Sequence, residues 1–173
     1  FKLKFIKLLL MIGVLTVLLA GCGKSFDEKV SEGFTTVQAA FEQQPLKANT
    51  KENNMSLYLP ENFVIDPSDE ENNYFIHSSD DQYILFINEE EPENSQFNYD
   101  ILMKSDDKSI IKVEQLQGEK HFGFVAVKQF SEKEYELIVS IGGIKLSTIT
   151  NEKKIDFKLE NMIDIVRSVE IVK

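Results

Sequence analysis

The stretch EYELIVSIGGIKLSTIT, residues 134–150, decides the fold. Before its two glycines, apolar side chains occupy every second position, at Tyr135, Leu137, Val139 and Ile141. This period of two is typical of a strand with one buried face. Gly142-Gly143 suits a two-residue hairpin turn because glycine adopts positive φ without a steric cost. The stretch therefore predicts an antiparallel hairpin whose second strand covers residues 144–150.

The preceding sequence extends this hairpin into a larger sheet. Residues 110–116 and 121–130 predict two strands joined by a turn at Gly118-Glu119, and Ser131-Glu132-Lys133 forms the next turn. Further upstream, residues 74–77 and 83–88 predict a hairpin, because Ser78-Ser79-Asp80-Asp81 has the composition of a turn. Period-two alternation begins earlier still, at Met55, Leu57, Leu59, Phe63 and Ile65.

Two amphipathic helices are predicted at the ends of this sheet. Ser25-Phe26-Asp27-Glu28 has the capping-box pattern, and apolar residues then recur at helical spacing as far as Phe41. This helix is predicted to cover residues 26–44, with Pro45 marking its end. Its apolar face would pack on the domain, lie in the lipid headgroup region or contact a partner. The second helix carries Ile155, Leu159, Met162, Ile163 and Val166 and leads to a strand at 169–172; residues 97–103 predict a shorter helix.

These elements define an α+β fold. We expect a mostly antiparallel sheet with the N- and C-terminal amphipathic helices packed on one face. Residues 45–54 are polar and aperiodic, which predicts a linker between the segment 22–44, which contains Cys22 and the first helix, and a globular domain at 55–173.

Residues 1–21 have the regions of a secretory signal peptide. Lys2, Lys4 and Lys7 form a positive head, and residues 8–20 are uncharged and mostly aliphatic. As a helix this apolar run covers about 20 Å, whereas the hydrocarbon layer of a bilayer is roughly 30 Å thick. The segment therefore predicts a cleaved signal peptide, with an uncleaved anchor helix as the alternative.

The apolar run ends at Leu19-Ala20-Gly21-Cys22, which contains the single cysteine of the chain. At all four positions this tetrapeptide resembles the lipobox of bacterial lipoproteins. The resemblance implies that the Cys22 thiol is joined to a diacylglycerol and that a signal peptidase cuts before Cys22. A thiolate is a strong nucleophile for alkylation, and a lone cysteine has no disulfide partner within the chain. The lipid would carry two acyl chains of about fifteen methylenes each. At about 0.8 kcal/mol per methylene, their burial in the bilayer would contribute more than roughly 20 kcal/mol of anchoring free energy.

The charge of the chain excludes one class of partner. The formal net charge is −10, and it becomes −13 without the three lysines of the signal. Nucleic acids bind clustered Lys and Arg, so we expect no nucleic-acid partner.

Low Ala with many Lys, Asn, Glu and Ile is typical of an AT-rich Gram-positive source. The expected partners are membrane lipid, through acylated Cys22, and an envelope protein.

One region of the chain is similar in layout to PsbP-like domains. It extends from Leu57-Tyr58-Leu59-Pro60-Glu61-Asn62-Phe63 to Ile165-Val166-Arg167-Ser168-Val169. Those domains have an antiparallel sheet flanked by helices, with a late helix leading into a final strand. The resemblance covers most of residues 55–173. It implies an accessory binding role rather than catalysis.

Three patterns are candidates for chemical sites. Ser105-Asp106-Asp107-Lys108 matches S-x-x-K, but the partner motifs of penicillin-binding enzymes are missing, which favours a loop. His77 and His121 would form a metal pair only as neighbours across the sheet. Acidic residues cluster in three places, at Asp66 with 69–71, at Asp80-Asp81 and at 89–93. Such charge runs favour solvated loops. The alternative is that they bind calcium or a cationic peptide.

The sequence thus predicts a lipid-anchored extracytoplasmic lipoprotein that serves as a non-catalytic binding or accessory module, without a cofactor. The alternatives are an envelope hydrolase with a carboxylate or histidine site, and a module that binds calcium or a cationic peptide.

Overall fold

The computed structural model describes residues 23–66, 72–79, 81–105 and 107–172. The predicted signal peptide and Cys22 lie outside these residues. The helices of the described part are α1 (Phe26–Glu42), α2 (Phe97–Lys104) and α3 (Ile155–Ser168). Its strands are β1 (Thr50–Glu52), β2 (Met55–Leu57), β3 (Phe63–Asp66), β4 (Asn73–Ser78), β5 (Asp81–Ile87), β6 (Ile110–Gln117), β7 (Phe122–Gln129), β8 (Glu134–Ile141), β9 (Ile144–Asn151) and β10 (Glu170–Ile171).

The hairpin at residues 134–151 lies in the middle of a seven-stranded sheet. β8 and β9 pair in antiparallel register from Glu134 opposite Asn151 to Ile141 opposite Ile144. Gly142 has a φ of 53°, so the turn uses the left-handed conformation that glycine permits. The strand order is β3-β4-β5-β9-β8-β7-β6, and all its pairs are antiparallel. The α+β fold class is confirmed.

Helix α1 packs on the body of the domain. It begins at the predicted capping box, in which the Ser25 N–H donates to Glu28 Oε2 at 2.7 Å and the Glu28 N–H donates to Ser25 Oγ at 3.3 Å. Its apolar face is buried in the core at Val30, Phe34, Val37 and Phe41. Of the predicted arrangements, packing on the domain is therefore the one observed.

Helix α1 ends at Glu42 rather than at the predicted Gln44. Gln43 is already extended, with a φ of −86° and a ψ of 170°. Pro45 contributes to this early end because a proline disfavours helical conformation in the residue before it.

Helices α1 and α3 run parallel, which gives the domain two distinct ends. At one end Lys24 Nζ lies 3.7 Å from Asp156 Oδ2, at the starts of both helices. At the other end Arg167, in the last turn of α3, donates from Nη2 to the Gln43 carbonyl at 2.6 Å. We call the first of these the tether end, because Cys22, the predicted site of lipid attachment, lies four residues before the start of α1 in the sequence.

The tether end also includes the turn between β7 and β8, residues 130–133. The ring of Tyr135, which follows this turn in β8, lies 4.6 Å from the ring of Phe26 at the start of α1. Because β8 runs away from this point, the Gly142-Gly143 turn lies at the opposite end of the sheet.

The segment 45–54, predicted as a linker, contributes a strand. β1 pairs with β2, and β2 pairs with β10, which forms a separate three-stranded sheet. Asn49 fixes the approach to β1, since its side chain exchanges two hydrogen bonds of 2.9 Å with the backbone of Leu59. The sequence has no period-two signal here because β1 is short, lies at an edge and has no fully buried side chain.

The predicted short helix near residue 97 is observed as α2, on the face of the sheet away from α1 and α3. The Tyr99 ring packs edge-on against Phe122 and Phe124 at 5.7 Å. Tyr99 and Phe124 form a second, smaller core with Ala126 and Ile138.

Among the described residues, none of the helices is long and apolar enough to cross a bilayer.

Candidate functional site

A cleft of about 540 Å³ lies where α3 ends and β10 begins. This volume falls within the range of roughly 300–1,000 Å³ that is typical of ligand sites. Its aliphatic lining residues are Ile87, Ile141, Ile144, Val166, Val169 and Ile171. Its charged lining residues are five glutamates, Glu89, Glu90, Glu91, Glu93 and Glu170, and one arginine, Arg167. We call this part of the molecule the cleft end.

Four of the glutamates belong to the acidic loop, residues 89–93, which follows β5. The hairpin turn holds this loop, since the Asn88 N–H donates to the Gly143 carbonyl at 3.0 Å. The approach is close enough to require glycine: a Cβ on Gly143 would lie 2.2 Å from the Asn88 carbonyl oxygen. The two glycines that make the hairpin therefore also bring the acidic loop against the sheet.

Side chains and backbone groups fix the two ends of the acidic loop. Asn54, in the turn between β1 and β2, donates from Nδ2 to Glu89 Oε1 at 3.1 Å. The Phe122 N–H at the start of β7 donates to the Glu93 carbonyl at 3.1 Å. The acidic loop is thus held at the cleft by both sheets.

Arg167 lies between the cleft and a second cavity of about 370 Å³, and it lines both. Its Cζ lies 5.6 Å from the centre of the Phe41 ring. Its Nε is buried and has no hydrogen-bond partner among the described residues. Burial lowers the pKa of Arg167, although the negative charge of Glu93 opposes this effect. An arginine stays ionised at neutral pH despite such a decrease, so Arg167 supplies a positive charge and a spare donor.

The strand β10 offers backbone groups at the rim of the cleft. In the described part of the chain it is one of the two edge strands of the order β1-β2-β10. The Val172 N–H donates to the Asn54 carbonyl at 2.7 Å, on the β2 side. Because the backbone groups of successive residues point to opposite sides of a strand, the N–H and C=O of Ile171 point away from β2.

Besides the acidic loop, the fold brings the predicted candidate His121 to the cleft. Its Nε2 lies 3.0 Å from Glu93 Oε2. A paired imidazole and carboxylate are able to activate a water molecule. The described residues that line the cleft include no Ser, Thr or Cys that would act as a nucleophile.

The structure separates the two histidines that were considered as a metal pair. His77 lies on β4, and His121 immediately precedes the first residue of β7. The strands β5, β9 and β8 lie between β4 and β7 in the sheet. His77 has its own carboxylate partner, with Nε2 placed 2.5 Å from Asp66 Oδ2. Within the described ranges, no three His, Cys, Asp or Glu side chains form a metal-binding group.

The S-x-x-K match forms the end of α2 and the loop after it. The Ser105 hydroxyl donates to the Leu102 carbonyl at 2.6 Å, and both Ser105 and Lys108 are exposed. Asp107 instead accepts from the Ser109 N–H at 2.9 Å and lies 3.0 Å from Lys128 Nζ. Hydrogen bonds from Ser109, together with Lys128, lower the pKa of Asp107 to about 2. The arrangement is that of a loop, and Asp106 lies outside the described residues.

Asp81 belongs to a partly buried ion pair that was not predicted from the sequence. Its Oδ1 lies 2.9 Å from Nζ of Lys158, which has no solvent exposure, and its Oδ2 lies 3.1 Å from Nζ of Lys154. Lys158 also donates to the Ile149 carbonyl at 3.3 Å. A signal existed, because Lys158 lies three residues after Ile155 and four before Met162, on the apolar face of α3. The neighbouring Asp80, and 69–71 of the other acidic cluster, lie outside the described residues.

Comparison with known proteins found no matching family model and no match among curated proteins.

Proposed function

We propose that the chain is a lipoprotein whose domain is displayed outside the cytoplasmic membrane as a non-catalytic binding module, with the cleft as its binding site. The lipobox-like Leu19-Ala20-Gly21-Cys22 supports the anchor. The observation that carries the binding role is the cleft itself, which combines aliphatic lining, five glutamates and a strand edge that no described residue pairs with.

The position of the cleft suits a displayed binding site. The predicted attachment at Cys22 precedes the capping residue Ser25 by only two intervening residues, and α1 begins directly after it at Phe26. Helix α3 then spans about 20 Å from the tether end to the cleft end. A ligand in the cleft would therefore bind on the side of the domain away from the bilayer.

The chemistry of the cleft favours an extended basic segment of a partner protein. Glutamates at the rim attract Lys and Arg, while the aliphatic lining accepts the apolar side chains between them. The outward-pointing backbone groups of Ile171 are suited to pairing with an added strand. Alternating basic and aliphatic residues would satisfy all three features, because successive side chains of a strand point to opposite faces.

Peptide binding to the detergent-extracted, lipidated chain tests this proposal. The probe is a fluorescent peptide of alternating Lys and Val, and the matched control peptide alternates Glu and Val. We expect the Lys-Val peptide alone to raise the fluorescence anisotropy, and we expect its affinity to fall with added salt because exposed charges are screened.

Charge reversal at the cleft separates specific binding from general attraction to an acidic protein. We expect the double variant Glu90→Lys/Glu170→Lys to weaken binding of the Lys-Val peptide by about tenfold, since each exposed charge contact contributes up to about 1 kcal/mol. The matched control is Glu132→Lys/Glu152→Lys, which makes the same change of net charge with two exposed residues at the tether end and should change the affinity much less. Equal losses in both variants would contradict a binding site at the cleft.

A further inference from the structure

We infer that the tether end of the domain contacts the lipid headgroups through Phe130 and Phe157. This inference rests on the proposed lipid anchor at Cys22. Phe130 and Phe157 are 58% and 62% exposed, which exceeds the exposure of every other Phe among the described residues. Both lie where the predicted lipid attachment meets the fold.

Contacts within the domain fix the backbone segments that carry both rings. Phe157 is in the first turn of α3, next to Asp156, whose carboxylate pairs with Lys24. Phe130 lies in the turn between β7 and β8, where its N–H donates to the Glu134 carbonyl at 2.9 Å. The residue after Glu134, Tyr135, stacks on Phe26 at the start of α1.

The length of the attachment limits how far this end stands from the bilayer. From Cys22 to Phe26 an extended chain reaches at most about 14 Å. The headgroup layer on each side of a bilayer is itself roughly 5–8 Å thick. An acylated Cys22 therefore holds the starts of α1 and α3 at or close to the headgroups, and exposed aromatic rings at that depth have an apolar surface to contact.

Charge favours the same orientation. The acidic loop lies at the cleft end, where it is farthest from anionic lipid. At the tether end, acidic side chains are accompanied by lysines, including Lys24, Lys133, Lys153 and Lys154. Of the two ends, the one bearing Phe130 and Phe157 is thus repelled less by a membrane surface.

Single tryptophans test the contact without background, because the chain contains no Trp. The variants are Phe130→Trp and Phe157→Trp, and the matched control is Phe97→Trp. Phe97 is 42% exposed and lies next to Asn98, which donates to the Gly142 carbonyl at the cleft end. Each lipidated full chain is reconstituted into liposomes with and without brominated phosphatidylcholine, and its Trp fluorescence is measured after flotation.

We expect the reporters at positions 130 and 157 to lose most of their intensity in brominated liposomes, and we expect the reporter at position 97 to keep its intensity. Chains that float with the liposomes but show equal quenching at all three positions, or none, would overturn the contact while leaving the anchor intact. A blue shift at position 130 or 157 without quenching would indicate a second protein copy and would also overturn it. Chains that fail to float would contradict the anchor instead.

Discussion

Replacing Asp81 with Asn is expected to lower the free energy of unfolding by about 3 kcal/mol, at the lower end of the range for breaking a buried ion pair. The loss arises because Lys158 would keep its positive charge in the core without the carboxylate 2.9 Å away. Lys154 would lose the same partner. Urea unfolding of the detergent-extracted full chain gives the free energy, and the melting temperature should fall by roughly 10 °C.

A second variant distinguishes a lost attraction from an uncompensated charge. Lys158→Met/Asp81→Asn removes both charges and keeps an unbranched side chain of similar length in the core. Because the double variant leaves no unpaired charge in the core, and the partly exposed position 81 allows the amide to be solvated, we expect it to be within about 1 kcal/mol of the native chain. A double variant as unstable as Asp81→Asn alone would contradict this explanation.

The same pair predicts the direction of a pH effect. Burial opposes ionisation of Asp81, but hydrogen bonds from Lys158 and Lys154 outweigh it, so the pKa of Asp81 lies below its ordinary value of 3.8. A carboxyl with a lowered folded-state pKa stabilises the fold above the unfolded pKa, and this contribution is lost as the pH falls through the folded pKa. The stability difference between the native chain and Asp81→Asn should therefore shrink below about pH 4.

The second large effect is expected at Phe34, which anchors α1. The ring is 2% exposed, and Lys112 Nζ lies 4.3 Å from its centre. Phe34→Ala should lower the free energy of unfolding by about 3–5 kcal/mol, through lost burial and the cavity left behind. Urea unfolding monitored by circular dichroism measures the change.

Thr35→Ala is the matched control for Phe34→Ala. Thr35 is on the same helix but exposed, and its Oγ1 donates to the Ser31 carbonyl at 2.9 Å. Surface substitutions of this kind usually change stability by less than about 0.5 kcal/mol. Equal effects of the two substitutions would mean that α1 does not pack on the domain.

The sheet is predictable from the sequence where one face of each strand is buried. β8 alternates because Leu137, Val139 and Ile141 enter the main core, and the glycines mark its turn. β1 is not predictable in this way because an exposed edge strand of three residues has no apolar period. The placement of α2 on the other face depends on Tyr99 packing against Phe122 and Phe124, which are distant from it in sequence.

The candidate site is only partly predictable, because it is assembled from distant segments. The acidic loop and His121 stand out as separate patterns, and the fold brings Glu93 and His121 together. Arg167 does not stand out, since one arginine near a helix end carries no signal until the backbone of Gln43 and the Phe41 ring are placed beside it. The edge position of β10 among the described strands likewise becomes apparent only when β10 is placed beside β2.

The chemistry of Cys22 is the most direct test of the proposed lipoprotein. Mass spectrometry of the N-terminal peptide, released by protease from membrane-extracted native protein, identifies both the first residue and its modification. We predict a peptide that begins at Cys22 and carries a diacylglyceryl group on its sulfur, and a Cys22→Ala chain that is neither lipidated nor cut at this point. A native peptide that begins upstream of Cys22, or one with a free thiol at Cys22, would contradict the account.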